Sequence, residues 1–232
     1  MTSKHYFIAG TDTDVGKTLI TGLLARYFHQ QNPSVITQKW IHTGTNVSVN
    51  SLPEDLKKHD ELIKLTQSNP AITKLRCPYR FLLPASAHLA AEAENKNISD
   101  SVIKKSFIEL QKHYQRILIE GIGGLLLPFN RHHTLLDIIK DLQIPVILVI
   151  SNRLGAINHA LLSLEVLKHR KITCKGLIWS GSHIQTDPQI LKDNPKIVSQ
   201  ISNVPMLANI PFHTNSDTLY ETLSTQLQNQ TL

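Results

Sequence analysis

Residues 10–18 read G-T-D-T-D-V-G-K-T, directly behind the apolar run His5 to Ala9 and ahead of an amphipathic stretch from Gly16 to Gln30. A glycine loop between a strand and a helix turns successive backbone N–H groups toward one point, at the positive end of the helix dipole. That makes a preformed anion site. The common phosphate loop is Gly, four residues, then Gly-Lys-Ser/Thr. Here Gly10 and Gly16 are separated by five residues, Thr11 to Val15, and two of these, Asp12 and Asp14, are acids. The Gly16-Lys17-Thr18 ending still assigns the loop to nucleotide phosphates: Lys17 reaches the terminal phosphates and the Thr18 hydroxyl is suited to Mg²⁺.

Outward from this loop, short apolar runs alternate with amphipathic segments. Strands are expected at Ser34 to Gln38, ending on Lys39, at Arg116 to Ile119, Pro145 to Ile150, Lys175 to Trp179 and Pro205 to Asn209. Helices are expected at Pro53 to Gln67, Ser86 to Glu94, Ser99 to Tyr114, from Gly155 to about Arg170, and at the C-terminus, with a polar loop at Gly44 to Pro53. The alternation predicts an α/β fold: a mainly parallel sheet flanked by helices on both faces, P-loop NTPase-like. With no repeat, low-complexity tract or linker in 232 residues, one domain over residues 1–232 is expected.

The net charge of +6 comes from 24 Lys and Arg against 18 Asp and Glu. The basic residues form short scattered groups, such as Lys57-Lys58 and Lys104-Lys105, rather than a footprint for nucleic acid, so no nucleic-acid partner is expected. No run approaches the roughly 18 apolar residues of a membrane span, and no membrane partner is expected. Cys77 and Cys174 match no metal or redox spacing and suit buried thiols in a reducing, cytoplasmic setting.

Every stretch with chemical potential follows a strand, where open parallel sheets bind ligands. Lys39 closes the second strand; taken alone it reads as a snorkelling surface lysine or as a catalytic cation. Glu120 precedes Gly121-Ile122-Gly123-Gly124 and suits a Mg²⁺ ligand, a catalytic base or a turn-capping carboxylate. Asp60 and Asp137 are further acids. His132-His133 lack the spacing of a histidine metal site.

These stretches, in order, resemble one family. G-T-D-T-D-V-G-K-T, Q-K-W-I-H-T-G, P-Y-R-F-L-L-P-A-S-A-H, E-G-I-G-G and P-V-I-L-V-I-S-N-R-L-G-A-I-N-H-A are similar to segments of dethiobiotin synthetases, and the five-residue loop spacing is that family's own. The resemblance implies a ligase that uses ATP and Mg²⁺ to close a cyclic urea on 7,8-diaminononanoate with CO₂, and a homodimer with sites at its interface. By resemblance Lys39 and Lys17 are catalytic, and Thr18, Asp60 and Glu120 hold the metal. Nucleotide contacts fall on Asp14, Val15, Gly16, Lys17, Thr18, Leu19, Asp60, Glu120, Gly121, Ile122 and Gly123. Further along they fall on Ser180, Gly181, Pro211, Phe212 and His213. Thr43 and, from the neighbouring subunit, Gly155, Ala156, Ile157 and Asn158 contact the substrate. Asp12 is expected to support the longer turn, and Asp14 to face Mg²⁺ or the substrate amines.

Three features depart from the family pattern. Lys-Pro-Val becomes Lys39-Trp40-Ile41, the adenine-reading Asn-Asp pair becomes Ser180-Gly181, and the loop between Lys39 and Asp60 is longer. Loss of the base-reading amide predicts a relaxed preference for ATP over other nucleoside triphosphates. The rival readings are another amide-forming P-loop ligase, which needs a glutamine-hydrolysing domain for which there is no room, and a partition-type ATPase switch, which usually adds a lysine early in the loop.

Overall fold

The computed structural model describes residues 4–45, 51–65, 69–181, 186–213, 215–228, 230 and 232. The first half runs β1 (Tyr6–Gly10), α1 (Lys17–Gln31), β2 (Val35–Lys39), β3 (Ile41–Thr43), α2 (Glu54–Ile63), α3 (Pro70–Arg76), β4 (Tyr79–Phe81), α4 (Ala87–Ala93) and α5 (Asp100–Gln111). The second half runs β5 (Arg116–Gly124), α6 (Leu135–Asp141), β6 (Val146–Ser151), α7 (Ala156–Arg170), β7 (Cys174–Ser180), α8 (Pro188–Ser202), β8 (Met206–Ile210) and α9 (Ser216–Leu227). Six strands form one sheet in the order β2-β5-β1-β6-β7-β8, all pairs parallel, and β3 pairs with β4 beside it.

The strands are mostly apolar and largely buried because both faces of the sheet are covered, as parallel sheets require; among the polar exceptions, Lys39 and Glu120 stand at or near their carboxyl ends. Side chains alternate between the faces. Tyr6 and Ile8 of β1 join Leu118, Ile147 and Val149 under α1, α2 and α9. Phe7 and Ala9 join Ile117, Ile119 and Leu148 under α5, α6 and α7. This is the expected α/β architecture with helices on both faces.

The topology also makes the site. β1 lies at the centre, with β5 and β2 to one side and β6, β7 and β8 to the other. The chain therefore reverses its winding beside β1, and the crevice at the carboxyl ends opens there. Lys39 and Glu120 are register partners of β2 and β5, so their side chains leave the sheet on the same face at the same height.

Several elements differ from the expected ones. The helix expected over Pro53 to Gln67 ends at Ile63, and Lys64 follows in a left-handed conformation at φ 66°; Gln67, like 46–50 of the expected loop, lies outside the described residues. α3, α6, α8 and the three-residue strands β3 and β4 carried no sequence signal. α3 and α6 have seven residues each, and α8 contains Pro195 at its middle, which argues against a helix on pattern alone. β5 continues through Glu120 to Gly124 instead of ending at Ile119.

Candidate active site

The loop of residues 10–16 closes over itself before α1. A Cβ on Gly10 would lie 2.8 Å from the Asp12 carbonyl oxygen, Lys17 Nζ and Val15, so only a bare backbone fits beneath the loop. Gly16 takes φ 94° as the N-cap of α1, and no side chain caps the helix, which leaves its first N–H groups directed at the crevice. Asp12 Oδ1 accepts the Thr13 N–H at 2.7 Å, and the Asp12 carbonyl accepts from Lys17 Nζ at 2.6 Å. Asp14 is exposed at φ 55°, a left-handed conformation that aspartate tolerates. Burial pulls the Lys17 ammonium down to about 8, against the partial support of Glu120.

Opposite the loop stands a buried charge cluster. Lys39 Nζ lies 2.8 Å from Glu120 Oε1 and is ion-paired with Asp55 Oδ2. The Thr18 hydroxyl lies 3.0 Å from Glu120 Oε1 and 3.2 Å from Asp55 Oδ1. Burial opposes the charge on Lys39, but Glu120 and Asp55 outweigh it and raise its pKa. Burial likewise works against the Glu120 and Asp55 carboxylates. Lys39 and His59 reverse this for Glu120, and His42 and Lys39 for Asp55, so both are held below the ordinary range. His42 lies between Glu54 and Asp55, at 3.3 and 3.2 Å.

Lys17, Thr18, Lys39, His42, Asp55 and Glu120 line one cavity of about 730 Å³ with Asp14, Gly16, Leu19, Thr43, Gly121, Ile122 and Gly123. Most of the expected loop and strand-end residues therefore converge on one space. Val15 turns its side chain into the core, leaving only backbone for a ligand. Asp60 is a correction: it does not face this cavity. Both its oxygens bind Arg76, at 2.6 and 2.7 Å, and Arg76 also donates to Thr37. Five residues of α-helix turn a side chain about 140° from its starting direction, so α2 cannot aim Asp55 and Asp60 at the same place. Asp55, in the first turn of α2, is the carboxylate of that helix that lines the cavity, beside Thr18 and Lys39.

Ser180 Oγ would lie 2.5 Å from a Cβ on Gly16, so the end of β7 abuts the loop. Gly181, Pro211 and Phe212 line a second cavity of about 210 Å³ with Asn152, Leu191 and Asn209. A Cβ at Gly181 would meet the Phe212 nitrogen at 2.1 Å, so no side chain fits where the family pattern has an aspartate. His213 lines neither cavity, and its Nδ1 accepts the Asn215 N–H at 2.9 Å. Gly155, Ala156, Ile157 and Asn158 also lie outside both cavities. They open α7 at the carboxyl end of β6, where Gly155 is an N-cap without a capping side chain.

Asp55, His42 and His59 were not anticipated. Asp55 and His59 are four residues apart on a helix, a spacing that puts them on one face and was legible in principle. His42 had only its neighbour Thr43 to mark it. Among the described residues no group of three or more His, Cys, Asp or Glu side chains makes a ready metal site, and no helix is long and apolar enough to cross a membrane.

The family described as an AAA domain matches residues 4–218. An ATP-dependent dethiobiotin synthetase of Haemophilus ducreyi is 41% identical over 197 residues, covering 85% of this chain and 91% of that protein. One of Thermodesulfovibrio yellowstonii is 37% identical over 227 residues, covering 94% and 93%. Among solved structures, a ParA family ATPase from Chlorobium tepidum superposes with a TM-score of 0.54 at 14% identity, over 98% of this chain and 97% of that one. The MinD cell division protein of Aquifex aeolicus gives 0.53 at 14%, over 96% and 87%. The structural likeness carries the fold, and the sequence identity, extending along almost the whole of both chains, carries the kinship: the protein belongs to the dethiobiotin synthetase family.

Proposed function

We propose that this chain is an ATP- and Mg²⁺-dependent cyclo-ligase that closes the ureido ring of dethiobiotin from 7,8-diaminononanoate and CO₂. The observation that carries the proposal is Lys39 at the end of β2, lining the same cavity as Lys17 and the phosphate loop. The reaction needs this arrangement. A carbamate formed from one amine and CO₂ attacks the γ-phosphorus of ATP, with the nucleoside diphosphate leaving. The second amine then attacks the carbamoyl carbon, losing a proton and expelling phosphate. The first transfer brings two anions together, and two buried ammonium groups offset their repulsion and stabilise the transferring phosphoryl group.

The donor set fits Mg²⁺. Thr18 Oγ1, Asp55 Oδ1 and Glu120 Oε1 are all oxygens, and the single Thr18 proton faces two acceptors. Mg²⁺ takes a few protein oxygens and completes its shell with phosphate and water, which agrees with the lack of an all-protein cage among the described residues. When bound, the ion supplies charge neutralisation to the phosphates. Lys39, already paired with Asp55 and Glu120, stands beside the reacting phosphoryl group. The open N–H groups of α1 hold phosphate.

For the substrate, Thr43 offers a hydroxyl in the main cavity and Asp14 an exposed carboxylate for a protonated amine. Ser180, Gly181, Pro211 and Phe212 surround the nucleobase beyond the loop. The uncapped N-terminus of α7 suits the distal carboxylate of a neighbouring subunit's substrate, and we include a homodimer in the proposal. Leu154, 76% exposed beside that terminus, is apolar surface available to such a partner. The chain acts as one domain over residues 1–232, an organisation supported by a sheet that contributes to both core layers. Burial pushes the Cys77 and Cys174 thiols up to about 11 and about 12, which suits inert thiols in the cytoplasm.

Phosphate release tests this. The proposal expects release that requires nucleotide, diamine and bicarbonate together and that collapses in Lys39→Ala. Release independent of the diamine would sink the assigned function. Full turnover by Lys39→Ala would sink only the role of Lys39.

A further inference from the structure

α2 sends two side chains into the cluster, Asp55 and, one turn later, His59. His59 is fully buried, and so is Glu120 at 3% exposure. The two carboxylate oxygens of Glu120 have different surroundings. Oε1 faces Lys39 and Thr18 at 2.8 and 3.0 Å. Oε2 points into the protein, where His59 Nε2 lies 2.9 Å away. The pair is at bonding distance with the N–H off the ideal line, and among the described residues neither atom has another hydrogen-bond partner. His59 Nδ1 has none either.

A buried imidazole with an unpartnered nitrogen is a poor choice for packing alone, since an apolar side chain of similar size fills the space without desolvating a polar atom. Among the described residues its one polar contact is with the oxygen of Glu120 that faces away from the cavity. We propose that His59 is a positioning residue: its Nε2–H holds Glu120 Oε2 from behind and fixes the carboxylate plane, so that Oε1 is presented to Thr18, Lys39 and the divalent cation. With Oε1 held from the cavity side and Oε2 from the helix side, the carboxylate cannot rotate about its last bond. Such outer contacts orient a ligand and tune its basicity. The inference rests on the metal-site reading proposed above and goes beyond it, because it assigns a role to a residue that touches neither nucleotide nor metal.

The test measures Mn²⁺ binding by electron paramagnetic resonance, in the presence of a non-hydrolysable ATP analogue, for wild type, His59→Leu and His59→Gln. Glutamine keeps an N–H near the position of Nε2; leucine keeps only bulk. The expected result is Mn²⁺ affinity about tenfold or more weaker in His59→Leu and within about threefold of wild type in His59→Gln. Affinity for the analogue without metal should be equal in all three. Should the leucine variant fail to fold, as judged by circular dichroism, His59→Met takes its place. Equal Mn²⁺ affinity in the folded apolar variant and wild type overturns the inference alone. A wild type that binds no Mn²⁺ with the analogue overturns the metal-site reading and the inference with it.

Discussion

Replacing Asp55 by Asn removes the charge that pairs with Lys39 and leaves one oxygen where the carboxylate offers two, to Lys39 and Thr18, whereas replacing Asp60 by Asn breaks only the pair with Arg76. The two variants should therefore fail differently. Asp55→Asn is expected to lose about a hundredfold in kcat/KM with little change in stability. Asp60→Asn is expected to lose about 3 kcal/mol of stability, because Arg76 is left buried with its charge uncompensated, and to keep activity. Steady-state kinetics beside urea melts separates them, and loss of catalysis in Asp60→Asn with stability intact would return the metal role to Asp60. The acids of the opening loop also divide. Asp12 serves the turn, while Asp14→Asn should raise KM for the diamine more than for the nucleotide. Loop, lysine and strand-end carboxylate were legible because each sits at a fixed offset from a strand. The choice between Asp55 and Asp60 was not, because it depends on where α2 begins, and the preceding loop carries no periodic signal.

At the level of elements, His5 ties the chain entering β1 to β5, its Nδ1 accepting the Ile117 N–H at 3.1 Å. Burial first, and Arg116 second, lower its pKa to about 4 from 6.5. Between those values the unfolded chain binds a proton that the folded chain refuses. This contribution to stability is thus complete above pH 6.5 and is lost as pH falls toward 4. Urea midpoints measured across that window should fall for wild type and fall less steeply for His5→Asn, which accepts without titrating; parallel slopes would contradict the assignment. α8 shows why a helix can escape pattern reading. Pro195 has no N–H to give Leu191, four residues earlier, and the freed Leu191 carbonyl accepts from Asn152 Nδ2 at 2.9 Å. Asn194 Nδ2 closes the same contact by donating to Asn152 Oδ1 at 3.0 Å. The proline that hid the helix thereby ties it to the loop before α7. In Pro195→Ala the helix N–H competes for that carbonyl, and the Asn152 side-chain amide should lose its protection from hydrogen exchange; an unchanged amide signal would mean that the proline is incidental.

Across the whole molecule, the sheet order brings the ends of β1, β2 and β5 together at one crevice and sets the end of β7 against the loop, so that a triphosphate and its base can lie along one line of strand ends. The proposed base end of that line is expected to be relaxed. Gly181 packs on the Phe212 backbone and offers no side chain to a base edge, so turnover with ATP, GTP and CTP at matched Mg²⁺ should differ by less than about tenfold, a strong ATP preference being the contrary result. The fold class was legible from alternation of apolar runs and helices. The sheet order was not, since it rests on which strands pair across long separations, which no local pattern encodes. The central claim is that this crevice makes a cyclic urea from a diamine and CO₂ at the expense of a nucleotide. The most direct measurement supplies ¹³C-bicarbonate with 7,8-diaminononanoate, ATP and Mg²⁺ and weighs the product by mass spectrometry while counting phosphate. The account predicts dethiobiotin carrying one heavy carbon, one phosphate released per ring, and no product from Lys39→Ala. Phosphate released without labelled dethiobiotin would contradict it.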